Sequence, residues 1–131
     1  MKKETVQEKR ANTCDEIDIA KGEVNYKEYQ LRKNLEVINN ILRTMKKRRK
    51  VISCLTYLKS NWKDGDYITD GLNTMKKSLR SYSTCYKIAI LERKILKAQF
   101  KQAQRKLSKK QKRIKDFDKK YFPREVSNGK R

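Results

Sequence analysis

One stretch decides the fold of this chain, residues 72–121, which reads LNTMKKSLRSYSTCYKIAILERKILKAQFKQAQRKLSKKQKRIKDFDKKY. Alternating steps of three and four residues select from it an almost unbroken apolar series: Leu72, Met75, Leu79, Tyr82, Tyr86, Ala89, Arg93, Leu96, Phe100, Ala103, Leu107, Lys110, Ile114, Phe117 and Tyr121. Only Arg93 and Lys110 are charged. A 3,4 spacing of this length, with no proline inside it, is typical of one long helix whose narrow apolar seam packs against another helix.

The composition of the whole chain favours the same class of fold. Of its 131 residues 36% are hydrophobic and 39% are charged, which suits long amphipathic helices better than a thick globular core. Four glycines and one proline are too few for the many turns of an all-β protein. The sequence therefore predicts an all-α protein, an elongated antiparallel helical hairpin or coiled coil with an additional N-terminal helix.

Two helices are predicted before residue 60. The first runs from about Glu4 to Lys21, and Gly22 indicates a kink or a short turn after it. The second runs from about Asn25 to Ser60. Its predicted seam consists of Leu31, Leu35, Ile38, Leu42, Met45, Arg49 and Ile52. After Ile52 the heptad register of the apolar residues shifts.

Residues 60–66, SNWKDGD, predict the turn between the two long helices, because Asn, Gly and Asp tolerate the backbone conformations of tight reversals. Trp62, with Tyr57 and Tyr67, is expected to close the apolar end of the bend. A short turn makes the helices antiparallel neighbours, so residues whose numbers add up to about 126 should lie opposite each other.

The last helix is expected to run from Asp66 to about Tyr121 and to end before Pro123. The predicted organisation thus has three parts. Residues 1–24 form a neutral, acid-containing N-terminal helix, residues 25–122 form the long basic hairpin, and residues 123–131 form a basic tail.

Charge is the strongest indication of function. The formal net charge is +21, and residues 1–36 contain eight basic and eight acidic side chains, so the entire excess lies in residues 37–131. So large an excess repels itself unless an anionic partner lies against it. Nucleic acid is the commonest such partner, ahead of an anionic membrane surface or an acidic protein. Membrane binding ranks low, because the apolar face over residues 98–111 is thin.

Two basic segments are the candidate nucleic-acid-binding sites. Residues 46–50 are five successive basic residues, whereas residues 93–115 contain eleven basic and no acidic residues. The candidate contacts are Lys46, Lys47, Arg48, Arg49, Lys50, Arg93, Lys94, Lys97, Lys101, Arg105, Lys106, Lys109, Lys110, Lys112, Arg113 and Lys115. Basic side chains on all sides of a helix favour many independent phosphate contacts over the reading of bases in a groove. The first segment is also compatible with a solvated mid-helix segment or, in a eukaryotic host, with a nuclear-import-like signal.

The acidic residues of the N-terminal third have two possible roles. In the antiparallel pairing they lie beside residues 93–115, where they would partly neutralise that stretch, so removal of residues 1–24 is expected to raise nucleic-acid affinity. Alternatively, the N-terminal third is an independent docking arm for a protein partner.

No enzymatic site is predicted. The chain has no His, and it lacks both the GxxxxGK[ST] and the GxGxxG phosphate-binding motifs, so neither cofactor nor metal is expected. Its three cysteines include no CxxC pair, which argues against a disulfide framework or a zinc finger. Without a signal peptide or a long apolar run, the expected location is intracellular (cytoplasmic) or within a virion.

Two functions from different classes are compatible with these features. The first is a non-catalytic, basic helical protein that contacts nucleic-acid phosphates, without sequence preference, as a structural component of a nucleoprotein or viral, phage-like assembly. In composition alone, the basic helix resembles the long arms of ribosome-associated proteins and lysine-rich phage components. The alternative is a coiled-coil assembly protein that docks to other proteins or to itself, with nucleic acid incidental. The choice between DNA and RNA is open.

Overall fold

The computed structural model describes residues 5–62 and 65–123. They form two α-helices, α1 (Val6–Asn61) and α2 (Gly65–Tyr121), and no strand is present in this part of the chain. The prediction of an all-α protein is confirmed.

A capping box begins α1. Thr5 Oγ1 accepts a hydrogen bond from the backbone N–H of Glu8 at 3.1 Å, and Glu8 Oε2 accepts one from the backbone N–H of Thr5 at 3.1 Å. This reciprocal pair satisfies two backbone donors that the first turn of a helix leaves without partners. The helix therefore starts at a defined residue.

The predicted break at Gly22 is wrong, because α1 continues through it without interruption. Gly22 is exposed, and a Cβ added to it would meet nothing within 4 Å. A single glycine costs a helix only about 0.5–1 kcal/mol relative to alanine, which the residues on both sides offset by packing against α2. The predicted additional N-terminal helix is thus the first part of α1.

The turn lies where it was predicted, between Asn61 and Gly65, although Lys63 and Asp64 are outside the described residues. The expected aromatic closure of the bend is wrong. Tyr57, Trp62 and Tyr67 are 68%, 66% and 90% exposed, respectively. A tight reversal brings the two helix ends together but leaves side chains on their outer surfaces in solvent.

The C-terminal end of α2 agrees with the prediction. The helix ends at Tyr121, and the backbone N–H of Phe122 still donates to Asp118 O at 2.7 Å. Pro123 follows, and the residue before a proline is disfavoured in helical conformation. The predicted basic tail, residues 124–131, lies outside the described residues.

The chain divides into two compact units. Unit 2 comprises residues 31–95 and is an antiparallel helical hairpin. Its buried residues are Asn34, Ile38, Met45, Leu72 and Ala89. Burial of this seam, rather than intrinsic helix propensity, supplies most of the stability of such a pair.

Unit 1 combines residues 1–30 with residues 96–131. Its buried apolar residues are Ile17, Ala20 and Ala103, two of which are alanines. Side chains at the edge of the seam bridge the helices: Arg10 Nε lies 2.9 Å from Asp118 Oδ1, and Lys27 Nζ donates to Gln99 Oε1 at 2.9 Å. The two helices are antiparallel in this unit as well.

The seam predicted for α2 is confirmed. Every predicted member from Leu72 to Phe117 is buried or half-buried, whereas Tyr121 is 42% exposed. The predicted pairing is also confirmed: contacting pairs such as Arg48 with Met75 and Arg10 with Asp118 have residue numbers that add up to between 123 and 128.

The seam predicted for α1 is wrong at alternate positions. Leu35 and Leu42 are 43% and 42% exposed, and Arg49 is exposed. The residues immediately before them, Asn34, Ile41 and Arg48, are buried or half-buried instead. The helix therefore turns a more polar face toward α2 than the distribution of leucines indicates.

Candidate nucleic-acid interface

The five successive basic residues of α1, in unit 2, do not behave alike. Lys46, Lys47, Arg49 and Lys50 are exposed, whereas Arg48 is half-buried. Five residues in succession cover every side of a helix, so one of them has to point into the seam. The structure therefore leaves four of the five available to a ligand.

Arg48 occupies a seam position between Met45 and Ile52, three residues after the first and four before the second. Its Nη1 lies 3.7 Å from Met75 Sδ, and its Nε is buried without a hydrogen-bond partner among the described residues. A buried donor without a partner costs free energy. Arg48 thus contributes charge to this region while its Nε is inaccessible to phosphate.

Arg93 is likewise directed into the seam of unit 2. Its Nη1 donates to Leu31 O at 3.2 Å and lies 3.5 Å from Asn34 Oδ1. The side chain is half-buried, whereas the next residue, Lys94, is exposed. Of these two predicted contacts, only Lys94 is fully available to a ligand.

Unit 1 contains the densest group of exposed basic residues on α2. Lys110 is half-buried at its seam position. The exposed members of the predicted set in this unit are Lys97, Lys101, Arg105, Lys106, Lys109, Lys112, Arg113 and Lys115. They are distributed around the part of the helix surface that does not face α1, because the seam occupies only the 3,4-spaced positions.

Among the described residues, these exposed cations are not neutralised by direct ion pairs. Within residues 5–62 and 65–123, the ion pairs join Arg10 to Asp118 and Lys33 to Glu36, and none involves a predicted contact residue. The ion pair between the helices of unit 1 is the reverse of the predicted arrangement. Its basic residue, Arg10, lies on α1, and its acidic residue, Asp118, lies on α2. From residue 5 onward, no N-terminal acid forms an ion pair with a described residue of 93–115.

Opposite charges nevertheless lie along the same grooves of unit 1. Glu16 and Arg113 line one groove, together with Phe117. Glu23 and Lys106 line another. Both pairs are too far apart for an ion pair by distance, so any mutual attraction acts through solvent and is screened by salt.

Two exposed features were not predicted. One is the groove containing Glu23, which also includes Tyr26, Lys27 and Gln99. The other is an apolar stripe on the outer surface of α2, formed by Ile88, Leu91 and Ile95, which are 52%, 58% and 57% exposed. Its spacing of three and four residues was a signal in the sequence, but the longer seam on the same helix concealed it.

Other kinds of site are not apparent in the part of the chain that the structure describes. It contains no cluster of three or more Cys, Asp or Glu side chains placed to hold a metal ion. Neither helix, over its described residues, has an apolar segment long enough to cross a membrane.

Comparison with known proteins adds no precedent, because no family model, curated protein or solved structure matches this chain.

Proposed function

We propose that this chain is a non-catalytic nucleic-acid-binding protein that contacts phosphates without sequence preference, as a structural component of a nucleoprotein or phage-like assembly within a cell or a virion. One observation carries the proposal. Between residues 93 and 115 there are eleven basic and no acidic residues, and nine of the eleven side chains are exposed.

The distribution of these residues supports phosphate contacts over base readout. A recognition helix presents one face to a groove and places a few side chains against base edges. On α2 the exposed lysines and arginines instead lie on several sides of the helix. Each can meet a different phosphate, and each contact releases condensed counterions, so affinity should fall steeply with salt.

The proposal is tested by measuring duplex and single-strand affinity as a function of salt. A variant with Lys101, Arg105 and Lys109 changed to Gln should bind more weakly and reduce the salt slope by roughly two to three, because each lost phosphate contact removes about 0.7–0.9 from it. The matched control changes Lys59, Lys76 and Lys77, which are exposed lysines outside the predicted set.

Two outcomes would count against the proposal. Binding that does not respond to salt would reject phosphate contact as its basis. An equal loss in the control variant would show that net charge alone, rather than residues 93–115, determines affinity.

We also propose that the two helices form a left-handed coiled coil. The 3,4 spacing of buried and half-buried residues on both helices supports it, because a seven-residue repeat keeps the seams in contact only if the helices supercoil. In α1 the supporting positions are Asn34, Ile38, Ile41, Met45 and Arg48.

A second candidate function is assembly through protein contacts. The exposed stripe of Ile88, Leu91 and Ile95 supports it, since clustered apolar surface favours association.

Sedimentation in high salt separates the two candidates. A monomer that binds nucleic acid only at low salt favours phosphate contact as the main function. A stable oligomer that ignores added nucleic acid, and that Leu91→Gln dissociates, favours assembly. The matched control is Leu42→Gln on α1, another exposed leucine outside the stripe.

A further inference from the structure

A groove in unit 1 combines an exposed aromatic ring with amides and amines. Its volume is about 270 Å³, and its floor is Ala103, which is only 7% exposed. Because alanine is small, the seam leaves space at this point. The groove is lined by Glu23, Tyr26, Lys27, Gln99, Gln102, Ala103 and Lys106.

The ring of Tyr26 is the unusual element of this groove. Tyr26 is 57% exposed, although its ring is largely apolar. At a seam position such a ring would be buried. Lys27 Nζ lies over this ring, 5.9 Å from the ring centroid, and donates a hydrogen bond to Gln99 Oε1 at 2.9 Å. That bond joins the two helices along one wall of the groove, and Tyr26 remains 57% exposed beside it.

We infer that this groove binds an unpaired base of a single-stranded nucleic acid, with the base stacked on Tyr26. The inference rests on the proposed phosphate-binding function and specifies its substrate. Proteins that bind single strands combine basic surfaces, which follow the backbone, with aromatic rings on which bases stack. Lys106, exposed at the edge of the groove, is placed to meet the phosphate of the same strand.

The remaining side chains select a base over a phosphate. The carboxylate of Glu23 repels a phosphate that enters the groove but accepts hydrogen bonds from the N–H groups of bases, such as the amino group of cytosine or the N3–H of thymine and uracil. The amides of Gln99 and Gln102 can donate to and accept from base edges. A phosphate therefore stays at the rim, near Lys106, while a base enters.

The geometry favours a single strand over a duplex. In a duplex the faces of the bases are stacked on one another, so Tyr26 gains no contact unless a base is extruded, which costs free energy. The lysines outside the groove contact single strands and duplexes equally, since both carry phosphates. Tyr26 should therefore discriminate between the two forms.

The test compares full-length wild-type and Tyr26→Ala chains for binding to oligo-dT, oligo-U and a duplex of matched charge at low salt. The variant should bind the single strands roughly five- to 150-fold more weakly, the range expected for loss of one stacked base, and bind the duplex unchanged. Tyr26→Phe keeps the ring and should bind like the wild type. The matched control is Tyr57→Ala, which removes a similarly exposed ring from unit 2.

The outcomes distinguish failure of this inference from failure of the proposed function. Equal losses for single strands and duplex, or no loss for either, would overturn the stacking site while nucleic-acid binding remained. A wild-type chain that binds none of the three probes would overturn the proposed function itself.

Discussion

Arg93 on α2 and Asn34 on α1 meet across the seam of unit 2, with Arg93 Nη1 3.5 Å from Asn34 Oδ1. Each is also anchored to the backbone of the opposite helix: Arg93 Nη1 donates to Leu31 O at 3.2 Å, and Asn34 Nδ2 donates to Ala89 O at 3.0 Å. Asn34 is buried. These bonds form only in one alignment of the helices, so the pair helps to define the register of unit 2.

The two side chains should therefore act together in stability. Asn34→Ala and Arg93→Ala are each expected to lower the free energy of unfolding by about 1–3 kcal/mol, because each removes hydrogen bonds that involve a buried or charged group. In a double-mutant cycle measured by urea denaturation, the coupling should be about 0.5–1 kcal/mol, small because the direct contact is long.

The control cycle uses Asn39 and Lys94, an exposed asparagine and an exposed basic residue of the same unit. Their alanine substitutions should have little effect and should add. Additive effects at Asn34 and Arg93 would show that the two side chains serve their backbone partners independently.

The phase of the α1 seam gives a second prediction. Ile38 is only 5% exposed, whereas Leu35 is 43% exposed. Ile38→Ala should lower the free energy of unfolding by about 2–5 kcal/mol, the usual effect of emptying a buried aliphatic site. Leu35→Ala should cost less than about 1 kcal/mol. Equal losses of unfolding free energy would mean that Leu35 packs against α2 as Ile38 does.

The contrast between the two seams shows what the sequence could determine. On α2 nearly every 3,4-spaced residue is apolar, so a single phase is possible and the prediction is correct. On α1, two registers of the 3,4 spacing are possible, one through Asn34 and Ile41 and the other through Leu35 and Leu42. The leucines favour the second register, but the structure buries the first. The register that buries Asn34 depends on the hydrogen bond from Asn34 Nδ2 to Ala89 O, which no pattern within one helix reveals.

The prediction of a break at Gly22 is wrong for a related reason. Glycine lowers helix propensity, but packing against a partner helix overrides so small a penalty. Gly22→Ala should therefore raise the free energy of unfolding by about 0.5–1 kcal/mol, because alanine removes the conformational cost and a Cβ there meets nothing within 4 Å.

The comparison for that variant is Gly71→Ala, where a Cβ would lie 3.6 Å from Leu55 Cδ1, an ordinary contact distance. It should also be tolerated. Thermal and urea denaturation of both variants would check the expectation. Destabilisation by Gly22→Ala alone would indicate that α1 is broken or bent at that glycine.

The candidate site was predictable in its composition but not in its accessibility. Counting charges identified residues 46–50 and 93–115, and the 3,4 spacing placed Arg93 on the seam of α2, but neither showed that Arg48 rather than Arg49 turns into the seam of α1. Counting charges also could not show which acidic side chains lie near which basic side chains, because that depends on the rotation of each helix about its axis. The groove of Tyr26 depends on both helices and was missed for the same reason.

Glu16 allows the masking role of the N-terminal third to be tested without disturbing the fold. It lines the same groove as Arg113 but makes no ion pair in the described part of the chain. Removing residues 1–24, by contrast, would uncover seam residues of α2 such as Leu107 and Ile114, so lost stability would obscure any electrostatic effect. Glu16→Gln removes the charge alone.

Glu16→Gln should raise the affinity for nucleic-acid duplex at low salt by up to about fivefold, the equivalent of about 1 kcal/mol for a solvent-exposed charge interaction. The gain should disappear at high salt, where the Debye length falls to about 3 Å. Asp70→Asn is the control: it changes the net charge equally, but Asp70 is an exposed residue of unit 2 outside residues 93–115. An equal gain in both variants would attribute the effect to net charge. No gain from Glu16→Gln would mean that Glu16 does not mask α2 and would favour the alternative, in which the N-terminal third docks a protein partner.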